Sequence, residues 1–280
     1  MDDAFADKSF YPQQLMTRRG FFVAGSAMAC GSVWLAARPA WAITRPNWVD
    51  KRQFGPFICE ATFSLDDNLT VLNELPALEQ ELVRVLGIRP PRKPIYVHLL
   101  GNRLEHYDYV KFNHPGIPNR RALFVQRNGQ AHVIAYRQYD LDVDLRHECT
   151  HSLLHSDLAS VPLWLDEGIA EYFEVPYDQR AYDHPHFDSL RWNLRLGLIR
   201  TPETLEEQND LADMSATDYR FSWAWVHFML HGPKPAFDCL IGFLADIRQN
   251  RPPGLLSQRL EQAVPNATDQ LVQHFKNWRR

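Results

Sequence analysis

Leu145–His155 reads LRHECTHSLLH. His147 and His151 stand four apart with Glu148 directly after the first, and on an α-helix residues four apart share a face. Two imidazoles placed in this way can aim a ring nitrogen at one ion, while Glu148 can reach a water beside that ion without binding it. A catalytic zinc takes three protein ligands and keeps one position open. The chain holds twelve histidines, so the pattern alone also fits a solvated helix face. The third ligand decides between the two.

Two templates offer one. The first draws it from the same stretch, where Asp157 falls at the right distance beyond His151. That template needs a glycine at the turn, and Leu154 occupies the position, which is costly for a residue that must take a positive φ. His155 continues the histidine face one turn on, too far along to close the same tetrahedron, so it reads as a surface residue or one behind the ligands. The second template uses the next helix, where Pro162–Phe173 reads PLWLDEGIAEYF. Glu167 follows His151 by 16 residues, enough for a turn and a return beside the first helix. Glu171 shares the Glu167 face and suits a hydrogen bond to the far nitrogen of a ligand histidine. Gly168 is expected to let the two helices approach closely.

These two stretches together resemble the gluzincin metallopeptidases, most closely the peptidase-MA-like domains of exported bacterial proteins. The aminopeptidase N family carries a comparable WLNEGFA, and thermolysin a comparable glutamate with an acid four residues later. The resemblance extends more loosely from Pro94 to about Leu244, where YRFSWAWVHFML (Tyr219–Leu230) is similar to the YxKGxxVLxML helix of the aminopeptidases. It implies a Zn2+ ion held by His147, His151 and Glu167, Glu148 as the catalytic base, and Glu171 as the acid behind the ligands. It also implies Tyr219 as the hydroxyl that stabilises the oxyanion; packing beside Phe221 and Trp223 is the other reading of that tyrosine. The glycine-rich acidic exopeptidase segment of the aminopeptidases is missing, with QAHVIAY (Gln130–Tyr136) in its place. The step from His151 to Glu167 is also shorter than theirs.

Outward from this centre, the expected class is α+β and zincin-like. An N-terminal mixed or antiparallel sheet precedes the HExxH helix, and a helical subdomain follows it. PIYVHLL (Pro94–Leu100) reads as a buried strand. RALFVQRNGQAHVIAY (Arg121–Tyr136) reads as a hairpin turning on Asn128-Gly129, whose second strand, Gln130–Tyr136, could take up an extended peptide. A partly buried helix carrying the histidines follows, with Val143, Leu145, Leu153, Leu154 and Leu158 as its apolar positions and Asp142 or Asp144 as cap, and Pro162 opens the next helix. Helical segments are expected at Asp188–Ile199, Thr217–Gly232 (stopped by Gly232 and Pro233), Ala236–Asn250 and Thr268–Trp278.

Residues 1–42 carry paired Arg18 and Arg19, an apolar run and the small-residue end Ala40-Trp41-Ala42, the order of an export signal. Thr17–Phe22, TRRGFF, resembles the twin-arginine type. Residues 43–280 then form one catalytic domain, sheet-rich over about 55–140 and helical over about 141–280. The expected location is the periplasm or outside the cell. Expected partners are the twin-arginine export machinery and a peptide or protein substrate, with no stable membrane anchor after signal cleavage. A net charge of −4 across 280 residues offers no basic footprint for nucleic acid. Cys59, Cys149 and Cys239 remain in the mature chain. The compartment permits a Cys59–Cys239 bridge, whereas Cys149, about 200° around the helix from His147, is expected to face the core. His227 and His231 share a face and suit either oxyanion contact or packing. Arg191, Arg195 and Arg200 suit either a substrate carboxylate or a solvated face. The function expected is a zinc-dependent hydrolase, in particular a peptidase. A non-catalytic envelope protein using the same fold for binding or scaffolding is the alternative.

Overall fold

The computed structural model describes residues 46–118 and 120–279; residues 1–42, where an export signal is expected, lie outside the described residues. Five strands form one mixed sheet: β1 (Asp50–Phe54), β2 (Phe57–Ala61), β3 (Ile95–Leu100), β4 (Ala122–Arg127) and β5 (Gln130–Tyr136). Their order is β1-β2-β3-β5-β4, with β2, β3 and β5 parallel and the two outer strands antiparallel to their neighbours. Eleven helices are described: α1 (Leu69–Leu86), α2 (Arg103–Asn113), α3 (Leu141–Asp157), α4 (Leu163–Phe173), α5 (Tyr177–Arg180), α6 (His186–Arg195), α7 (Pro202–Glu206), α8 (Ala216–His231), α9 (Lys234–Arg248), α10 (Leu256–Ala263) and α11 (Ala267–Asn277). The class is α+β.

Local chemistry explains most boundaries. Asn128 and Gly129 both take positive φ, 53° and 68°, the conformation a two-residue hairpin needs to match strand twist. Helix α1 spaces Val71, Leu72, Leu75, Leu78, Leu82 and Leu86 along one buried stripe and ends on Gly87 at φ 67°, where a missing Cβ removes the penalty. Ser215 caps α8 through the Asp218 amide, and Asp218 returns the bond to the Ser215 amide. Neither Asp142 nor Asp144 caps α3. The N-cap position is Asp140, and Asp144 instead accepts from Arg121 at 2.6 Å and Gln138 at 2.7 Å.

The sheet separates two apolar layers. Cys59, Val97, Leu99, Val133 and Ala135 face α1 and α3 in the main core, which continues through α4, α8, α9 and α11. Leu100, Leu123, Val125 and Ile134 face the other way, against Val110 of α2. Helix α3 lies between the sheet, α1 and α4, so nearly every residue from Asp144 to Leu154 is buried, the polar ones included. The sequence suggested a partly buried helix because half of this surface is polar. Those groups have internal partners: Arg146 reaches Glu74 at 2.7 Å and Thr150 bonds the Arg146 carbonyl at 2.8 Å.

Three expectations change. Strand β5 is hydrogen-bonded on both sides, so it offers no edge to a peptide; β4 forms the outer edge on that side. The sheet also begins earlier than position 55, with the β1–β2 hairpin. Finally, Gly168 serves the packing of α4 on α8, not on α3. A Cβ there would stand 2.5 Å from the Ser222 carbonyl oxygen of α8, and backbone cannot yield cheaply. Gly168→Ala is therefore expected to lose about 1–3 kcal/mol or more, read as a fall of several degrees in Tm. An unchanged Tm would remove this close approach from the account.

No helix among the described residues is long and apolar enough to cross a membrane. Cys59, Cys149 and Cys239 are all free. Cys59 sits in the middle of a paired strand and Cys239 on α9, so the permitted bridge does not form. Cys149 is fully buried in the core, and burial pushes its thiol pKa well up, with Cys59 a neighbour.

Candidate metal centre

Helices α3 and α4 bring His147, His151 and Glu167 together. The two Nε2 atoms are 3.2 Å apart, and the Glu167 oxygens lie 3.5 Å from that of His147 and 3.6 Å from that of His151. Donors bonded to a tetrahedral zinc at about 2.0–2.1 Å stand about 3.3–3.4 Å from one another. The three separations bracket that edge. All three side chains and Glu148 have no accessible surface. Neither Glu167 oxygen has a hydrogen-bond partner, an arrangement that ordinarily costs about 1–3 kcal/mol for a buried group. A carboxylate so placed beside two imidazoles is one of the groups that could hold a metal ion.

The far side of each ring fixes its orientation. His147 Nδ1 lies 3.1 Å from Glu174 Oε2, and His151 Nδ1 lies 2.9 Å from Asp166 Oδ1. Carboxylates accept, so each Nδ1 carries a proton, and each Nε2 is left facing Glu167 as the position for an ion or a second proton. Carboxylates gathered at this range favour a positive charge among them, whether a proton on an imidazole or a metal ion. The field is arranged for one. Burial alone would push His151 towards neutrality, but Asp166, Glu167 and Glu148 outweigh it and raise its pKa to about 9. Asp166 moves the other way: burial opposes its charge, yet His155 and His151 hold it well below the carboxylate range. Burial raises Glu167, and the two imidazoles offset only part of that.

Asp166 and Glu174, neither singled out by the sequence, therefore do the work expected of Glu171. Glu171 bonds His186 Nε2 at 2.7 Å, and one of its oxygens lies within 4.8 Å of donor atoms of His147 and Glu174. The signal was present in part: Glu167, Glu171 and Glu174 follow an i, i+4, i+7 spacing along one helix face. Asp166 is rotated a step away and reaches both His151 and His155, the latter at 2.6 Å. His155 thus stands behind His151, across Asp166. Replacing Asp166 by asparagine keeps the shape and removes the charge. Zinc affinity, measured by competition with a chromophoric chelator, is expected to fall about 10–100-fold; an unchanged affinity would show that Asp166 does not tune the site.

The same-helix template does not apply. Helix α3 continues through Leu154 without a turn, and Asp157 accepts from the Arg89 amide at 2.9 Å and from Arg89 Nε at 2.5 Å. Tyr219 lies in the first turn of α8, buried with Leu211 and Met214 and packed against Leu163 at the start of α4. His227 bonds His274 and the Ala181 carbonyl, each at 3.0 Å, and His231 bonds the Tyr172 hydroxyl at 2.7 Å. All three contacts belong to packing of the helical part. Arg200 pairs with Asp218 at 3.1 Å and Arg191 reaches the Trp278 carbonyl at 3.3 Å.

No family model matches the chain, and no curated protein matches it either.

Proposed function

We propose that this chain is a metal-dependent hydrolase of zincin-like fold, with a three-donor centre formed by His147, His151 and Glu167. Within that class we assign it to the gluzincin kind of peptidase, exported through the twin-arginine route and acting on a peptide or protein substrate. One observation carries the reading: three donor residues converge, with the two Nε2 atoms 3.2 Å apart and each 3.5–3.6 Å from one Glu167 oxygen, and both imidazoles are turned Nε2 inward by Glu174 and Asp166. The donor set, two nitrogens and a carboxylate, suits zinc.

Bound there, zinc would supply Lewis acidity to the substrate carbonyl and to an attacking water. Glu148 takes a proton from that water and delivers it to the departing amide nitrogen. Tyr219 is assigned to the developing negative charge; it is buried at the start of α8 against Leu163, the first residue of the helix that carries Glu167. The outer strand β4, last in the sheet order, offers an edge for an extended peptide, and its Phe124 stacks on His155 of α3 at 5.7 Å between ring centroids.

The alternative is a non-catalytic envelope protein using the fold for binding or scaffolding. The complete burial of His147, Glu148, His151 and Glu167 favours it, because a substrate has to reach the metal. Metal analysis of the purified chain with a peptide-library digest separates the two. The peptidase reading expects about one zinc per chain and cleavage abolished by chelation; stoichiometric zinc with no cleavage favours the alternative.

A further inference from the structure

On the sheet face opposite α3, a cavity of about 840 Å³ opens between the β2–β3 region, helix α2 and the segment before β1. Among the described residues its charged lining is all acidic: Glu60, Glu105 and Asp108, with no lysine or arginine. Glu105 is held by neutral donors, Thr62 Oγ1 at 2.8 Å, the Gly101 amide at 3.0 Å and Asn102 Nδ2 at 2.6 Å. Glu60 gives one oxygen to the exposed Lys51 at 2.5 Å and turns the other towards His98 Nδ1 at 3.6 Å. Carboxylates gathered in a partly enclosed space exclude anions and favour a positive guest.

His98 supplies the independent sign of a ligand. It is only 6% exposed, lines the cavity, and its Nδ1 has no hydrogen-bond partner. Its other nitrogen lies 3.0 Å from His132 Nδ1. Burial, with His132, His114 and Lys51 nearby, pushes His98 down to about 3, so the ring stays neutral at ordinary pH. When His98 donates through Nε2 to His132, its Nδ1 and the Glu60 oxygen are two acceptors facing each other, and an N–H from outside satisfies both. Around this point the rings pack as a wall. Trp48 lies 5.5 Å from His98 and 5.8 Å from Tyr109, and Tyr109 lies 5.5 Å from His98. Aromatic faces beside carboxylates suit a cation with an apolar body.

We propose that this cavity binds an organic cation, an alkylammonium or guanidinium group on an apolar stem, at a site separate from the candidate metal centre. The chemistry is shared by a free amine and by a lysine or arginine side chain of a peptide. Calorimetric titration of the full chain in the Glu148→Gln background, where no peptide should be cleaved, tests it. The probes are n-butylammonium, n-butylguanidinium, acetyl-Gly-Lys-Gly-amide, and neutral n-butanol and glucose. Saturable binding of the cations is expected, weakened at least about tenfold by adding either Glu60→Gln or Asp108→Asn, with Tm recorded to confirm folding. Tighter binding of the peptide than of n-butylammonium assigns the site to a side chain; equal or weaker binding assigns it to a free amine. No cation binding, equal binding of a neutral probe, or no weakening in either added variant overturns the proposal.

Discussion

Glu148→Gln is expected to hold zinc within about tenfold of the parent affinity while losing about 10²–10⁴-fold of peptide turnover. The two effects separate because Glu148 is not among the three converging donors; its carboxylate contributes instead to the field that raises His151. Glutamine fills the same fully buried volume, so packing is preserved. Removing the negative charge costs the ion some attraction but also lowers proton competition at His151, and the two changes partly cancel. The amide cannot take a proton from the attacking water. Turnover by chelator-sensitive assay and metal content on the same preparation read both sides. Retained turnover would refute the role of Glu148 as base.

Glu167→Gln is the second large effect, and it is expected to move metal affinity and stability in opposite directions. Loss of the anionic ligand should weaken zinc by more than about 100-fold, beyond the range for residues that only orient a ligand. In the metal-free chain the same change should stabilise the fold. The wild-type carboxyl is fully buried without a hydrogen bond, whereas glutamine offers an amide N–H to Nε2 of His147 and an amide oxygen to the proton that His151, raised to about 9, carries on Nε2. Thermal unfolding with and without zinc reads this directly. The parent Tm should rise on adding zinc, as for any ligand that binds only the folded state, while the variant should start higher and rise little. A metal-free variant less stable than the parent, still shifted by zinc, would make Glu167 a structural acid.

The parts of the site legible in the sequence are those fixed within one helix turn. His147 and His151 had to share a face once the segment was helical, and Glu167 with Glu171 likewise. The Asn128-Gly129 turn was legible because positive φ is a property of those residues alone. What depended on packing between elements was not. Asp166 and Glu171 lie on the same helix, but which of them meets a ligand imidazole depends on how α4 is rotated against α3. Gly168 signals a close approach without naming the neighbour, and α8 proved to be it. Strand β5 reads as an edge in sequence order but is interior because β3 inserts beside it, a non-local pairing that no alternation pattern encodes. Helix α3 read as half-buried since its polar residues find partners on distant segments, Glu74 for Arg146 and Arg121 for Asp144.

Anomalous diffraction at the zinc edge from crystals of the zinc-loaded chain tests the central claim most directly. The geometry calls for a single peak bonded at about 2.0–2.1 Å to Nε2 of His147, Nε2 of His151 and an oxygen of Glu167. A peak bonded instead through His147 Nδ1 with Glu171 and Glu174, or no peak in this region of a zinc-saturated crystal, contradicts it.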